Sequence, residues 1–231
     1  MCFTDNYNLT STIWNIVNID FRYKDPRRTA KAFKLFPHIL FPKYELSIWI
    51  DGSCVVTGNI MALLNTFCTN SSMSCFPHPK RNCIYDEAKA CMLLGKDEPS
   101  VIKKQMNLYL NDGYPKKNGL ISGGILIRRH HNTAVIKMME DWWQQIDELS
   151  VRDLLSFNYV AWINGFHCNI LPLKIFENPF FSWKVHPNFV FYDRNGKEVY
   201  SIKILASLSY LKFRNSPLGE RTLGWLLSKI R

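Results

Sequence analysis

Short apolar runs that alternate with amphipathic stretches constrain this chain more than any other feature. "MCFTDN", "STIWNIVNIDF", residues 45–51 and "LISGGILIRR" read as strands. Between them, Pro26 suits a helical first turn, and Arg27, Lys31, Lys34 and His38 follow at i, i+4, i+7 and i+11 as one basic face. "VVTGNIMALLNTF" reads as a short turn leading into an amphipathic helix, and residues 69–82 as a polar loop. "YDEAKACMLLG" is a helix closing at Gly95, and the segment 97–112 continues as helix. "GYPKKNG" is turn chemistry, residues 132–149 form an aromatic-rich helix, and "SVRDLLSFNYVAWING" forms another, with Ser150 and Asp153 at capping-box spacing. The alternation predicts an α/β domain with a mainly parallel sheet flanked by helices.

In such sheets ligands bind outside the carboxyl ends of the strands, where Asp5 and Asp51 are expected to lie. A carboxylate at the mouth of a buried strand is costly unless it is paired, hydrogen-bonded or bound to a cation. In "SIWIDGS", Asp51 is therefore either a site carboxylate or the first residue of a β-turn eased by Gly52.

At 231 residues and 47% hydrophobic content the chain can bury a substantial core. Lys plus Arg outnumber Asp plus Glu by 29 to 19, a formal charge of +10 that favours anionic partners. No nucleic-acid motif appears and the aromatics fall at buried periods, so no nucleic-acid partner is expected. The seven cysteines form no paired CxxC pattern and fit reduced thiols better than a disulfide framework. Without a signal-peptide pattern or an apolar run of bilayer length, a cytoplasmic protein is the expectation.

The ordered succession "CFTDN", "FPHILFPKYELSIWIDGS", "HPKRNCIYDEA", "GLISGGILIRRH" and "WWQQI…SVRDLLSFNYVAW" resembles the TOD/MUCI-type glycosyltransferase-like domain family. The resemblance divides the chain into a domain over residues 1–187 and a basic amphipathic extension over residues 188–231. It implies a GT-A-like fold, in which a strand-end acidic motif holds a divalent metal and a sugar diphosphate. GT-A domains place a strand before the equivalent of "CFTDN", so the resemblance implies that this first strand is lacking or that another segment fills the edge.

The resemblance also implies roles. Asp51, Gly52 and Ser53 would form the D-x-D-like motif, with serine where an acid is usual. Asp51, Ser53 and His186 would hold manganese or magnesium. Asp5 and Asn6 would meet the base or ribose, or else cap a loop. Arg28 and Lys31, with Arg27 and Lys34, would neutralise phosphate. His78 and Arg81 would reach the donor, with Glu87 as a catalytic acid, unless Arg81 and Glu87 form a structural pair. Gly123 and Gly124 would admit the sugar or mark a bulge, and Arg152 and Asp153 would orient hydroxyls or cap a helix.

The implied function is transfer of a sugar from a nucleotide-sugar donor to a glycan or lipid-linked acceptor, in surface polysaccharide synthesis. The alternative is a catalytically degenerate nucleotide- or sugar-binding protein. A lipid hydrolase is the third class, and no G-x-S-x-G nucleophile elbow is present. The basic extension suits either contact with an anionic membrane, at its inner face, or packing on the domain.

Overall fold

The computed structural model describes residues 1–20 and 23–184, and the backbone of residues 188–192 and 198–203. In chain order the elements are β1 (Cys2–Thr4), β2 (Ile16–Asn18), α1 (Pro26–Leu35), α2 (Pro37–Leu40), β3 (Ser47–Ile50), β4 (Cys54–Val56), α3 (Ile60–Phe67) and β5 (Met73–Pro77). They continue with α4 (Ile84–Leu93), α5 (Pro99–Asn111), β6 (Ile121–Arg128), α6 (Thr133–Glu148), a 3₁₀ turn (Asp153–Leu155), α7 (Phe157–Ile163), β7 (Asn169–Ile170) and β8 (Phe181–Trp183). A ribbon of β9 (Asn188–Tyr192) and β10 (Glu198–Lys203) ends the described backbone. The amphipathic segment beyond residue 203 lies outside the described residues.

The apolar run of β6 organises the sheet. It is the longest strand, and it pairs antiparallel with β3 on one side and β5 on the other, while β5 pairs parallel with the edge strand β7. The four-stranded order is β3-β6-β5-β7. Separate two-stranded pairings join β1 to β2 in parallel and β4 to β8 antiparallel. The expectation of a mainly parallel sheet is therefore corrected to a mixed one. A continuous apolar run reports burial on both faces, and it reports nothing of strand direction. The expected loop at residues 69–82 is also corrected: it contains β5, buried from Met73 to Phe76. Ser74 and Pro77 break the apolar pattern that would have revealed it.

Alternating side chains of β6 feed two cores. Leu126 joins Leu35, Ile84, Ile102, Met138, Trp142 and Phe157 under the helices α1 and α4–α7. Ile125 and Ile127 point the other way, to Leu63 of α3, Phe76 and Phe181. Local chemistry sets the helix ends. Asp25 caps α1 through Arg27 N, Asn59 caps α3 and Asn132 caps α6. Gly95, at φ 62°, ends α4, and Pro99 opens a new helix, so the helical pattern around residue 97 is two helices rather than one.

β6 carries a bulge at its glycines. Cys75 faces Leu126 and the next residue, Phe76, faces Ser122, which leaves Gly123–Ile125 looped out of the β5 ladder. The Trp183 indole fills the space beside Gly124, where an added Cβ would stand 2.4 Å from Cη2. Gly124→Ala is therefore expected to lower the unfolding free energy by about 1–3 kcal/mol. Gly52→Ala, with nothing within 4 Å of the added carbon, should stay within about 0.5 kcal/mol of the parent. Urea denaturation of both variants checks this, and equal stabilities would contradict the packing of Trp183 on β6.

Candidate functional site

The basic stripe of α1 divides into two parts. Its first turn is structural: Asp25, 2% exposed, receives Arg27 at 2.8 Å and Arg28 at 3.3 Å. Arg28 also donates to Leu149 O at 3.0 Å and lies 3.8 Å from the Asp147 carboxylate. It clamps α1 to the end of α6, and no described bond takes it to the groups below.

One turn on, the stripe faces inward. Lys31 Nζ and Lys34 Nζ both donate to Asp153 Oδ2, at 2.7 and 2.6 Å. Lys34 also donates to Gly123 O at 2.6 Å and stands 5.7 Å from the Trp142 ring centre. Gly123 makes this possible: a Cβ there would come within 3.1 Å of Lys34 Nζ and 3.2 Å of Asp153 Oδ2. The two glycines thus make room for the protein's own ion pair and for Trp183. Ser150 and Asp153 form no capping box, because Ser150 Oγ donates to Asp97 at 2.6 Å and Asp153 answers the lysines.

The charges do not balance. One carboxylate serves two ammonium groups, with the Arg152 guanidinium close enough to act on both. Burial alone would raise the Asp153 pKa, but Lys31, Lys34 and Arg152 overwhelm it and hold the carboxyl far below the usual range. Lys31 is pushed the other way for an ammonium: burial lowers its pKa, Lys34 and Arg152 add to the effect, and Asp153 and Asp51 oppose it. Lys31 is also the member that keeps solvent contact, its side chain 18% exposed against 1% for Lys34.

Asp51 stands beside this cluster. It is the first residue of a β-turn, with Cys54 N donating to its carbonyl at 2.8 Å, and its own N–H bonds Gly124 O at 2.9 Å. Its side chain is not spent on the turn. Oδ1 accepts the Trp49 indole N–H at 2.6 Å, while Oδ2 accepts no hydrogen bond among the described residues. The carboxylate acts electrostatically on Lys31, and together with burial it pushes the Cys54 thiol up to about 11. The turn reading of Asp51 holds in the fold, and its side chain points elsewhere, to the Trp49 indole.

A second cluster surrounds Glu87, which is buried on α4. Arg81 Nη1 lies 3.1 Å and His78 Nε2 3.5 Å from Glu87 Oε2. The structural Arg81–Glu87 pair is thus present. His78 Nδ1 accepts the N–H groups of Lys80 and Arg81 at 3.2 and 2.9 Å, which assigns the ring proton to Nε2, facing Glu87. Burial drives the His78 pKa down to about 4, against Glu87 and with help from Arg81, Lys96 and Lys80. Arg152 links the clusters, its charge favoured by Cys91, Asp153 and Glu87 against burial, and its Nε has no hydrogen-bond partner among the described residues.

Other expected residues stay apart. Asn6 Oδ1 accepts Asn8 N and caps its own exposed loop, and no described bond takes Asp5 or Asn6 to Asp51 or Asp153. Ser53 uses its carbonyl to accept Lys184 N at 2.7 Å beside the β4–β8 pair. His186 lies outside the described residues. A hard divalent cation asks for several oxygen ligands. Among the described residues no three His, Cys, Asp or Glu side chains converge to hold one. Asp51 and Ser53 belong to no such group among the described residues. Sequence reasoning missed the indoles of Trp49 and Trp142, and Lys96. Trp49 was accessible, because residues two apart on a strand share a face.

Residues 3–182 match the family model described as TOD1/MUCI70, glycosyltransferase-like domain. The chain belongs to this family. A relative within reach of sequence comparison, "Probable hexosyltransferase MUCI70" of Arabidopsis thaliana, is 28% identical over 159 residues. That alignment covers 64% of this chain and 27% of the plant protein, so the chain spans about a quarter of that relative's length. No solved structure matches the chain. The match places every described member of the two clusters of this TOD1/MUCI70 domain inside the family region.

The Glu87 cluster of the TOD1/MUCI70 domain contributes one imidazole, His78, to the acid dependence of stability. Between pH 6.5 and about 4 the unfolded chain binds a proton that folded His78 refuses, so stability falls as pH drops through that window. The pKa difference corresponds to about 3 kcal/mol. His78→Asn keeps an acceptor for the same two N–H groups and does not titrate. Its unfolding free energy is expected to lose that slope, measured by denaturant titration from pH 7 to 4; a slope equal to the parent's would contradict the assignment.

Proposed function

We propose that this domain is a glycosyltransferase that uses a nucleotide-sugar donor. The observation that carries the reading is the surplus of cations over carboxylates around Asp153, beside a strand-end acid with one oxygen that accepts no hydrogen bond among the described residues. Breaking the anomeric bond of such a donor leaves a diphosphate, and ammonium and guanidinium groups in place beforehand stabilise that charge. In this reading Lys31 and Arg152 take the diphosphate. Lys34 is the buried strut that sets Asp153 and Lys31. Asp51 Oδ2, its partner oxygen fixed by the Trp49 indole, takes a sugar hydroxyl. Asp153, held ionised by its cations, and Glu87, paired with Arg81, position those cations.

The acceptor in this reading is a glycan or lipid-linked sugar, and the setting is surface polysaccharide synthesis at the inner face of an anionic membrane. The +10 charge and the basic extension over residues 188–231 support that part. Among the described residues no helix is long and apolar enough to cross a membrane. The pinning of Asp153 and Glu87 favours a second reading, a degenerate domain that binds the donor without turning it over.

Calorimetric titration with nucleoside diphosphates tests the diphosphate seat. Lys31→Ala is expected to weaken binding about 10- to 100-fold, the loss of one charge-assisted contact. Unchanged affinity in the folded variant would remove α1 from the site. A nucleotide-sugar panel with and without manganese tests turnover. Asp51→Asn, which keeps the turn and the indole bond, should melt like the parent and lose about two orders of magnitude in rate. Donor binding without turnover in the parent would establish the degenerate reading.

A further inference from the structure

Cys75 and Cys168 bring their Sγ atoms to 3.2 Å, a contact that neither cluster uses. The sheet register causes it. β5 and β7 run parallel with Ser74 opposite Asn169, and Asn169 Nδ2 donates to Ser74 Oγ at 3.0 Å on one face. Cys75, one residue later, and Cys168, one residue earlier, therefore share the opposite face. Cys75 is fully buried and Cys168 is half-buried, so Cys168 is the more accessible residue of the pair. The buried Arg128 guanidinium has no carboxylate partner among the described residues, and it favours the thiolate of Cys75 against the burial that raises that thiol.

We propose that Cys75 and Cys168 are a thiol–disulfide exchange site, oxidised by a small-molecule disulfide such as oxidised glutathione to an intrachain bond. Cys168 gives its proton to solvent and its sulfur attacks one sulfur of the oxidant. The oxidant's S–S bond breaks, and one small thiol leaves. Cys75 then loses its proton to solvent, and its sulfur attacks the Cys168 sulfur of the mixed disulfide, releasing the second small thiol. Two protein thiols and one small disulfide become one protein disulfide and two small thiols, and the protein gives up two electrons. Bond formation closes the sulfurs from 3.2 Å to about 2.05 Å.

The bond would tie the two-residue edge strand β7 to β5. The segment it encloses, from Cys75 to Cys168, carries His78, Arg81, Glu87, Arg152 and Asp153, so oxidation would restrain the chain that holds both clusters. Among the described residues only Cys75 and Cys168 make a sulfur–sulfur contact, and Cys91 donates to Glu87 instead.

The test incubates the full chain in glutathione buffers from reducing to oxidising, followed by alkylation, peptide mass spectrometry and thermal melting. A peptide pair linked through Cys75 and Cys168, two hydrogens lighter than the reduced pair, is expected in the oxidising buffers. The melting temperature should rise by about 10 °C with it, the effect of closing a long loop. Cys168→Ser, a change at a half-buried position, should abolish both. Alkylation of both cysteines at the most oxidising ratio would overturn the proposal, as would a glutathione adduct that persists on Cys168 without the linked pair.

Discussion

The bond from Lys34 to Asp153 is the constraint around which the rest of this molecule is arranged. A fully buried ammonium needs both a counterion and hydrogen-bond acceptors, and here it takes Asp153 Oδ2 and Gly123 O. Each partner has its own support. The Trp142 indole donates to Asp153 O at 3.0 Å, and Asp97 holds the preceding turn through Ser150 Oγ and Val151 N. Gly123 gives up its side chain so that the pair can approach β6. Helix α1, strand β6, helix α6 and the 3₁₀ turn thus meet around the Lys34 ammonium and Asp153.

That meeting is the basis of the proposed diphosphate seat. Once Lys34 claims the carboxylate, Lys31 shares an oxygen already in use, and Arg152 brings a third positive charge. Of the two ammonium groups, Lys31 is the more exposed. An incoming phosphate would complete what Asp153 leaves unfinished, and the Asp51 carboxylate nearby would keep the site from being uniformly positive.

Much of this was legible in the sequence. Asp51 at the end of "SIWI", the helix opened by Pro26 and the buried run of β6 follow from periodicity and capping, and the fold contains all three. Strand direction was not legible, because burial on two faces looks alike in parallel and antiparallel sheets. β5 was hidden by Ser74 and Pro77, polar or ring-bearing residues whose burial depends on neighbours distant in sequence. The stripe on α1 was visible as a stripe, yet its meaning was not. A basic face usually meets solvent, and only the tertiary contact with Asp153, 122 residues from Lys31, turns half of it inward.

The most direct measurement replaces Asp153 with asparagine and follows unfolding with and without a nucleoside diphosphate. Removing one partner of a buried charge cluster should cost about 3–5 kcal/mol, because Lys34 and Lys31 would then face each other uncompensated. A diphosphate that binds those same cations should recover part of that loss, raising the stability of Asp153→Asn by more than it raises the parent's. A variant within about 1 kcal/mol of the parent, with no larger gain from the diphosphate, would show that neither the fold nor the proposed site depends on this carboxylate.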